Sequence, residues 1–229
     1  MTGKTLHARE NLYYNQFSDR ERNEKMEKLV AATRNVNKIR EIEEILGGHF
    51  EVISMDEAGV AGEAEETGNS FEENAVLKAS YVMEQTGLPA IADDSGLEVD
   101  ALGGEPGIYS ARYSGGHGDD EANNQLLLKK LEGVPKPRTA RYVAAIALVR
   151  PGKPVICCRG CCEGEILTEY HGTGGFGYDP LFLCETGKTF AQIDAETKNA
   201  ISHRRRGIDA VLNELKKEQA AQAGKGERT

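Results

Sequence analysis

The chain has 229 residues, 39% hydrophobic and 28% charged, a balance that supports a folded core in one domain or one two-lobed domain. A formal net charge of −9 argues against broad nucleic-acid binding, which needs a basic surface, yet leaves room for a phosphorylated small molecule held by local cations. No apolar run approaches membrane-spanning length and the first thirty residues lack a signal-peptide core, so a cytoplasmic protein with no membrane partner is expected.

Residues 1–25 are polar and aperiodic, and we expect a dispensable, disordered extension there. The pattern changes at Met26. One domain is expected over 26–217, followed by a frayed tail over 218–229. Leu29 to Ala32 reads as a first strand. It feeds Thr33-Arg34-Asn35-Val36-Asn37-Lys38 and then a helix striped by Ile39, Ile42, Ile45 and Leu46, which Gly47-Gly48 stops. A Thr/Asn turn at a helix start offers free backbone N–H groups and a favourable dipole to an anion, and Lys38 adds a full charge. An ordinary Asn cap beside a solvated lysine fits these residues equally well.

Phe50 to Met55 reads as a second strand, followed by an acidic loop (Asp56, Glu57, Glu63, Glu65, Glu66). Ser70 with Glu73 forms a capping box, so a helix should run from about Phe71 to Thr86, with Lys78 able to reach back toward a site. Pro89 to Ala92 reads as a buried strand that ends on Asp93-Asp94-Ser95-Gly96. Paired acids at the end of an apolar strand imply a nearby cation, because burying them unpaired is costly. In strand geometry the two point to opposite faces, so one at most serves as the main ligand or base.

Asp119 to Leu131 reads as a helix, and Arg141–Val149 and Val155–Cys162 as paired strands joined at Pro151-Gly152-Lys153. All five Cys lie between Cys157 and Cys184. Cys158 and Cys161 have C-x-x-C spacing, which leaves zinc or redox chemistry open beside the reading as a core strand. His171 to Asp179 has G-x-G-x-x-G spacing, but Pro180 follows where a dinucleotide site needs a helix, so it reads as a loop presenting Phe176, Tyr178 and Asp179. Lys198 to Arg206 opens a final helix striped by Ile201, Ile208, Val211, Leu212 and Leu215.

Six segments in order carry a family resemblance: Thr33-x-Asn35-x-x-Lys38, Ser70-Phe71-x-Glu73-Asn74-Ala75, Ala92-Asp93-Asp94-Ser95-Gly96-Leu97, Gly104-x-Pro106-Gly107-x-x-Ser110-Ala111-Arg112, Phe176-Gly177-Tyr178-Asp179-Pro180 and Ser202-His203-Arg204. Together they resemble the inosine/xanthosine triphosphate pyrophosphatase family, over roughly Leu29 to Leu215. The resemblance implies an α/β fold around a long mixed sheet with flanking helices, two lobes about a central cleft, and a homodimer. It implies Mg2+-dependent hydrolysis of ITP, dITP and XTP to the monophosphate and pyrophosphate. Carried over residue by residue, Thr33, Asn35 and Lys38 hold phosphates, and Lys78 and Lys198 meet the nucleotide. Asp94 is the proton acceptor and a metal ligand, with Glu66 as second ligand and Ser95 as a substrate contact. Phe176, Gly177, Tyr178, Asp179, His203 and Arg204 form the purine pocket.

The chemistry agrees with that assignment, since a triphosphate needs several cations and Mg2+ favours one or two carboxylates plus phosphate oxygens. The chain departs from the family pattern at Arg34, where Gly is frequent, at Gly207, where Ala is common, and in its N-terminal extension. A Maf-type pyrophosphatase acting on other nucleotides and a catalytically silent nucleotide sensor are the rival expectations.

Overall fold

The computed structural model describes residues 26–116 and 118–226; the expected extension over 1–25 and the last three residues of the tail lie outside the described residues. Six strands form one mixed sheet in the order β2-β1-β3-β4-β5-β6. These are β1 (Lys28–Ala31), β2 (Glu51–Ser54), β3 (Ala90–Val99), β4 (Thr139–Val149), β5 (Ile156–Ile166) and β6 (Phe182–Cys184). The helices are α1 (Val36–Leu46), α2 (Phe71–Thr86), α3 (Asp120–Lys130), α4 (Ala195–Ile201) and α5 (His203–Gly226). β1 runs parallel to β2 and β3, whereas β3, β4, β5 and β6 pair antiparallel in succession.

The centre of the sheet is buried on both faces, which is why β4 reads as a near-continuous apolar run. Val143, Ala145, Ala147 and Val149 pack with Phe71, Ala75, Ala79 and Val82 of α2 on one face. Ala144, Ile146 and Leu148 pack with Ile42, Ile45 and Leu46 of α1 and Ile208, Val211 and Leu215 of α5 on the other. A third cluster, with Leu97, Val99, Leu127, Leu131, Phe182 and Phe190, fills the far end of the sheet. The long mixed sheet with helices on both faces is the expected fold.

Local caps follow the sequence. Ser70 Oγ accepts a hydrogen bond from the Glu73 N–H at 3.1 Å, and the Glu73 carboxylate answers by accepting from the Asn69 N–H at 2.7 Å. Several elements differ from expectation, among them β5, which runs on to Ile166, and β6, which is not expected. β3 does not stop at Ala92; it continues through Asp93-Asp94-Ser95-Gly96 to Val99, because β4 supplies an antiparallel partner along its whole length. The C-terminal helix is two helices. Ser202 takes extended backbone and its Oγ caps the Arg205 N–H at 3.1 Å, so α4 ends and α5 starts afresh. α5 also continues through Gly226, beyond residue 218 where a tail is expected.

Two glycines let α5 lie hard against the sheet. A Cβ at Gly160 of β5 would sit 2.2 Å from the His203 carbonyl oxygen and 2.3 Å from the Gly207 nitrogen, and one at Gly207 would meet Ile146 at 2.7 Å. That approach explains Gly207 and sets the position of His203 and Arg204 at the start of α5. Gly160→Ala should push α5 off the sheet and cost about 1–3 kcal/mol of stability, as overpacking does. A urea midpoint equal to that of the unsubstituted protein would show that the approach is not tight.

Candidate active site

The site forms where β1 ends beside the middle of β3. β1 pairs with β3 only at Val30↔Ala90 and Ala31↔Ile91, so the turn after β1 arrives next to Asp93 and Asp94. The carboxyl end of a parallel strand, with a helix starting there, is the usual ligand position in α/β sheets. Alternation along β3 then divides the two acids. Ala90 and Ala92 face α2, and Asp94 follows them; Ile91 faces α1 and α5, and Asp93 follows it.

Asp93 is 1% exposed. It pairs with the Arg204 guanidinium of α5, accepts from Ser95 Oγ, and has Lys38 Nζ of α1 at 3.4 Å. Burial opposes its ionisation, but Arg204 and Lys38 outweigh that and hold its carboxyl well below the usual range. Arg204 is 1% exposed, also pairs with Glu41 of α1, and stays charged because Asp93 and Glu41 overcome its burial.

Asp94 accepts a hydrogen bond from Lys78 Nζ of α2 at 2.6 Å, and the same ammonium donates to Glu66 Oε1 at 3.1 Å. Burial raises the Asp94 pKa and the charge of Glu66 adds to it, against the pull of Lys78. Glu66 is also buried in part, yet Lys78 and Arg112, at 3.3 Å from its other oxygen, keep its pKa low. Lys78 is desolvated, but Asp94 and Glu66 raise its pKa. A cavity of about 850 Å³ opens here, lined by Thr33, Asn35, Lys38, Glu66, Lys78, Asp94 and Ser95, together with Arg34, Glu63 and Arg112.

At the start of α1 the free N–H groups are fewer than expected. Asn35 Oδ1 accepts from the Asn37 and Lys38 N–H groups at 3.0 and 3.3 Å, so the helix caps itself. An anion there meets Lys38 and the Thr33 hydroxyl beside a helix start already partly satisfied.

A second cavity of about 230 Å³ is lined by Phe176, Lys198, Glu41, Phe190 and neighbours. Lys198 Nζ lies 4.5 Å from the Phe176 ring centroid, 2.7 Å from Asp179 Oδ2 and 3.5 Å from Glu41. Asp179 is a hub: it also accepts from the Phe176 N–H at 3.0 Å and the Tyr142 hydroxyl at 3.1 Å, while burial raises its pKa. Gly175, at φ +72°, takes the left-handed turn that lets this loop fold over the Asp179 carboxylate.

Of the expected purine-pocket residues, Phe176 lines this cavity, whereas Gly177, Tyr178, Asp179, His203 and Arg204 line neither cavity and stand behind the walls. The Tyr178 hydroxyl donates to the Ser110 carbonyl at 2.8 Å, and the Gly177 N–H to Asp120 at 2.7 Å. His203 stacks on Tyr142 at 4.8 Å, and burial, with Arg204 beside it, holds its pKa well below that of a free histidine. It is a neutral, packed ring. Glu41, Arg112 and Tyr142 were not singled out by the sequence. Arg112 stands inside a matching motif, Glu41 is one turn after Lys38, and Tyr142 in an apolar strand carries no signal of its role.

Cys158 and Cys161, three apart on β5, pack against opposite faces of the sheet, so they cannot jointly hold an ion. Among the described residues no group of three or more His, Cys, Asp or Glu could hold a metal, and no helix is long and apolar enough to cross a membrane.

Fold and site together define an α/β protein with cations and carboxylates converging in a cleft at the end of a parallel strand. The chain belongs to the Ham1 family, whose sequence profile matches residues 29–214. It is 52% identical over 193 residues to the dITP/XTP pyrophosphatase of Geobacter sulfurreducens, covering 83% of this chain and 97% of that one. The Staphylococcus aureus Ham1 protein is similar in structure, with a TM-score of 0.75 at 42% identity, over 84% of this chain and 100% of that one. The Coxiella burnetii HAM1 protein has a TM-score of 0.76 at 39% identity, over the same shares.

Asp93→Asn should cost about 3–5 kcal/mol at neutral pH, because Arg204 is left as a buried charge without its main partner. The folded-state pKa of Asp93 is depressed, so its contribution is complete above the ordinary value of 3.8 and is lost as pH falls through the folded-state value. The variant's stability should therefore decline less steeply below pH 3.8 in acid unfolding. A curve parallel to that of the unsubstituted protein would rule out Asp93 as an acid-sensitive anchor.

Proposed function

We propose that this chain hydrolyses non-standard purine nucleoside triphosphates, ITP, dITP and XTP, to the monophosphate and pyrophosphate, with Mg2+. The observation that carries the reading is the convergence of the Asp94 and Glu66 carboxylates on one ammonium, Lys78, inside the cavity that Thr33, Asn35 and Lys38 also line. The curated relatives named dITP/XTP pyrophosphatase support it.

The donor set fits the metal: two hard carboxylates, already arranged about a cation, leave the remaining positions to phosphate oxygens and water, as Mg2+ prefers. Asp94 and Glu66 would hold the ion, which when bound supplies Lewis-acid charge neutralisation at the phosphates. Lys38 and Thr33 meet phosphate oxygens, and Lys78 offers charge to the oxygens as negative charge builds. Water adds its oxygen to phosphorus, its proton passes to Asp94, and the α–β phosphoanhydride bond breaks to release pyrophosphate. A carboxylate whose pKa burial has raised is the stronger base for that proton.

The smaller cavity suits a purine. Phe176 offers a ring face, and Lys198 is an N–H donor that a 6-oxo group accepts and a 6-amino group cannot. Asp179 and Glu41 hold that ammonium in place. A cytoplasmic homodimer belongs to the same proposal, on the family resemblance.

Asp94→Asn should lower pyrophosphate release from ITP by about 10²–10⁴-fold, the range for a general base, while the melting transition stays cooperative. Release from ITP and XTP should require Mg2+ and exceed that from ATP. Near-full turnover in the variant would remove Asp94 from the mechanism. Preference for dTTP or UTP would move the chain to the Maf-type reading, and silence with nucleotide bound would make it a sensor.

A further inference from the structure

Arg34 stands between Thr33 and Asn35 on the wall of the larger cavity, and its guanidinium is engaged there by protein groups. All three nitrogens are directed at the acidic loop after β2. Nη1 pairs with Asp56, Nε lies 3.3 Å from Glu63 Oε1, and Nη2 donates to the carbonyls of Val60 and Gly62 at 3.2 and 3.1 Å. From the opposite side α2 pins the same loop: the Tyr81 hydroxyl donates to the Ala61 carbonyl at 2.6 Å, and Gln85 accepts from the Ala61 N–H at 3.3 Å. Residues 56–63 are thus clamped between the turn after β1 and α2. Three residues further on the loop delivers Glu66 to Lys78, Arg112 and the cavity.

We infer that Arg34 is a positioning residue: it locks the 56–63 loop to the turn after β1 and so sets where Glu66 meets the cation and triphosphate. The assignment rests on the metal role proposed above for Glu66. Its chemistry is that of a planar fork, which reaches two carboxylates and two carbonyls at once; a lysine ammonium cannot span that set. Asp56 and Glu63 are exposed, so salt screens their pairing with Arg34, but the bonds to the Val60 and Gly62 carbonyls are neutral on the acceptor side and persist. The lock also joins the two halves of the phosphate cavity, the Thr33–Lys38 turn and the acidic loop, which belong to different segments of chain. Arg34 therefore serves the reaction through Glu66.

The test uses the full chain with Arg34→Ala, Arg34→Lys and Glu63→Gln. Without nucleotide, amide hydrogen exchange over 56–66 should become several-fold faster in Arg34→Ala, with α2 and β3 unchanged. Mn2+ titrated calorimetrically into the nucleotide-free protein should bind about 10-fold more weakly in Arg34→Ala, the scale for losing an outer positioning partner. Arg34→Lys should not restore it, and Glu63→Gln should shift it in the same direction by less. The half-saturating Mg2+ for ITP hydrolysis should rise in parallel while kcat at saturating metal recovers. Unchanged exchange over the loop would overturn the lock. Unchanged Mn2+ affinity, or a rise in nucleotide KM alone with Glu63→Gln silent, would overturn the positioning role and make Arg34 a phosphate ligand. Absence of hydrolysis in the unsubstituted protein would instead refute the proposed function and leave the exchange and Mn2+ results standing.

Discussion

The structure depends on the ion pair between Asp93 and Arg204. Both are about 1% exposed, and both belong to segments that have to be brought together, the middle of the central strand and the start of the last helix. A charge buried at that depth is tolerable only with a partner in good geometry. Neither side chain can leave without stranding the other, so β3 and α5 lock in one relative position. Glu41 and Lys38 extend the network to α1, and Lys198 joins it through Glu41 to the Asp179 loop. One connected set of charges thus ties the turn after β1 to the Asp179 loop, more than a hundred residues away in sequence.

The period of a strand turns this anchor into a division of labour. Asp93 and Asp94 are neighbours in sequence and lie on opposite faces of the sheet. The face of α1 and α5 supplies guanidinium and ammonium enough to keep Asp93 ionised and fully occupied. The face of α2 supplies a single lysine shared with Glu66, so Asp94 keeps a raised pKa beside an open cavity. The same alternation separates Cys158 from Cys161 and removes the metal-site reading of that pair.

Much of this was legible in the sequence. The Ser70–Glu73 box located the start of α2, and the Thr33–Lys38 turn after an apolar strand located the region where α1 begins. The opposite facing of Asp93 and Asp94 follows from strand period alone. The continuation of β3 through both acids was not legible, because an apolar run that stops is the ordinary sign of a strand end; only the pairing with β4 and the arginine from α5 reveal why charge is tolerated there. Ser202 as a helix boundary was hidden by the unbroken apolar stripe on either side of it. A basic run in sequence does not disclose which of its charges is buried: Arg204 pairs with Asp93 and Glu41, and His203 stacks on Tyr142. Arg34, a departure from the family pattern, acquires a role only when the loop at 56–63 is seen folded onto it.

Two adjacent carboxylates on one strand hold their protons differently because their faces differ. Carboxyl carbon NMR titration of the free protein, with Asp93→Asn and Asp94→Asn for assignment, tests it directly. Asp93 should titrate below its ordinary 3.8 and Asp94 above it, each as a separate transition. Titration of both together near the ordinary value, or in the reverse order, would contradict it.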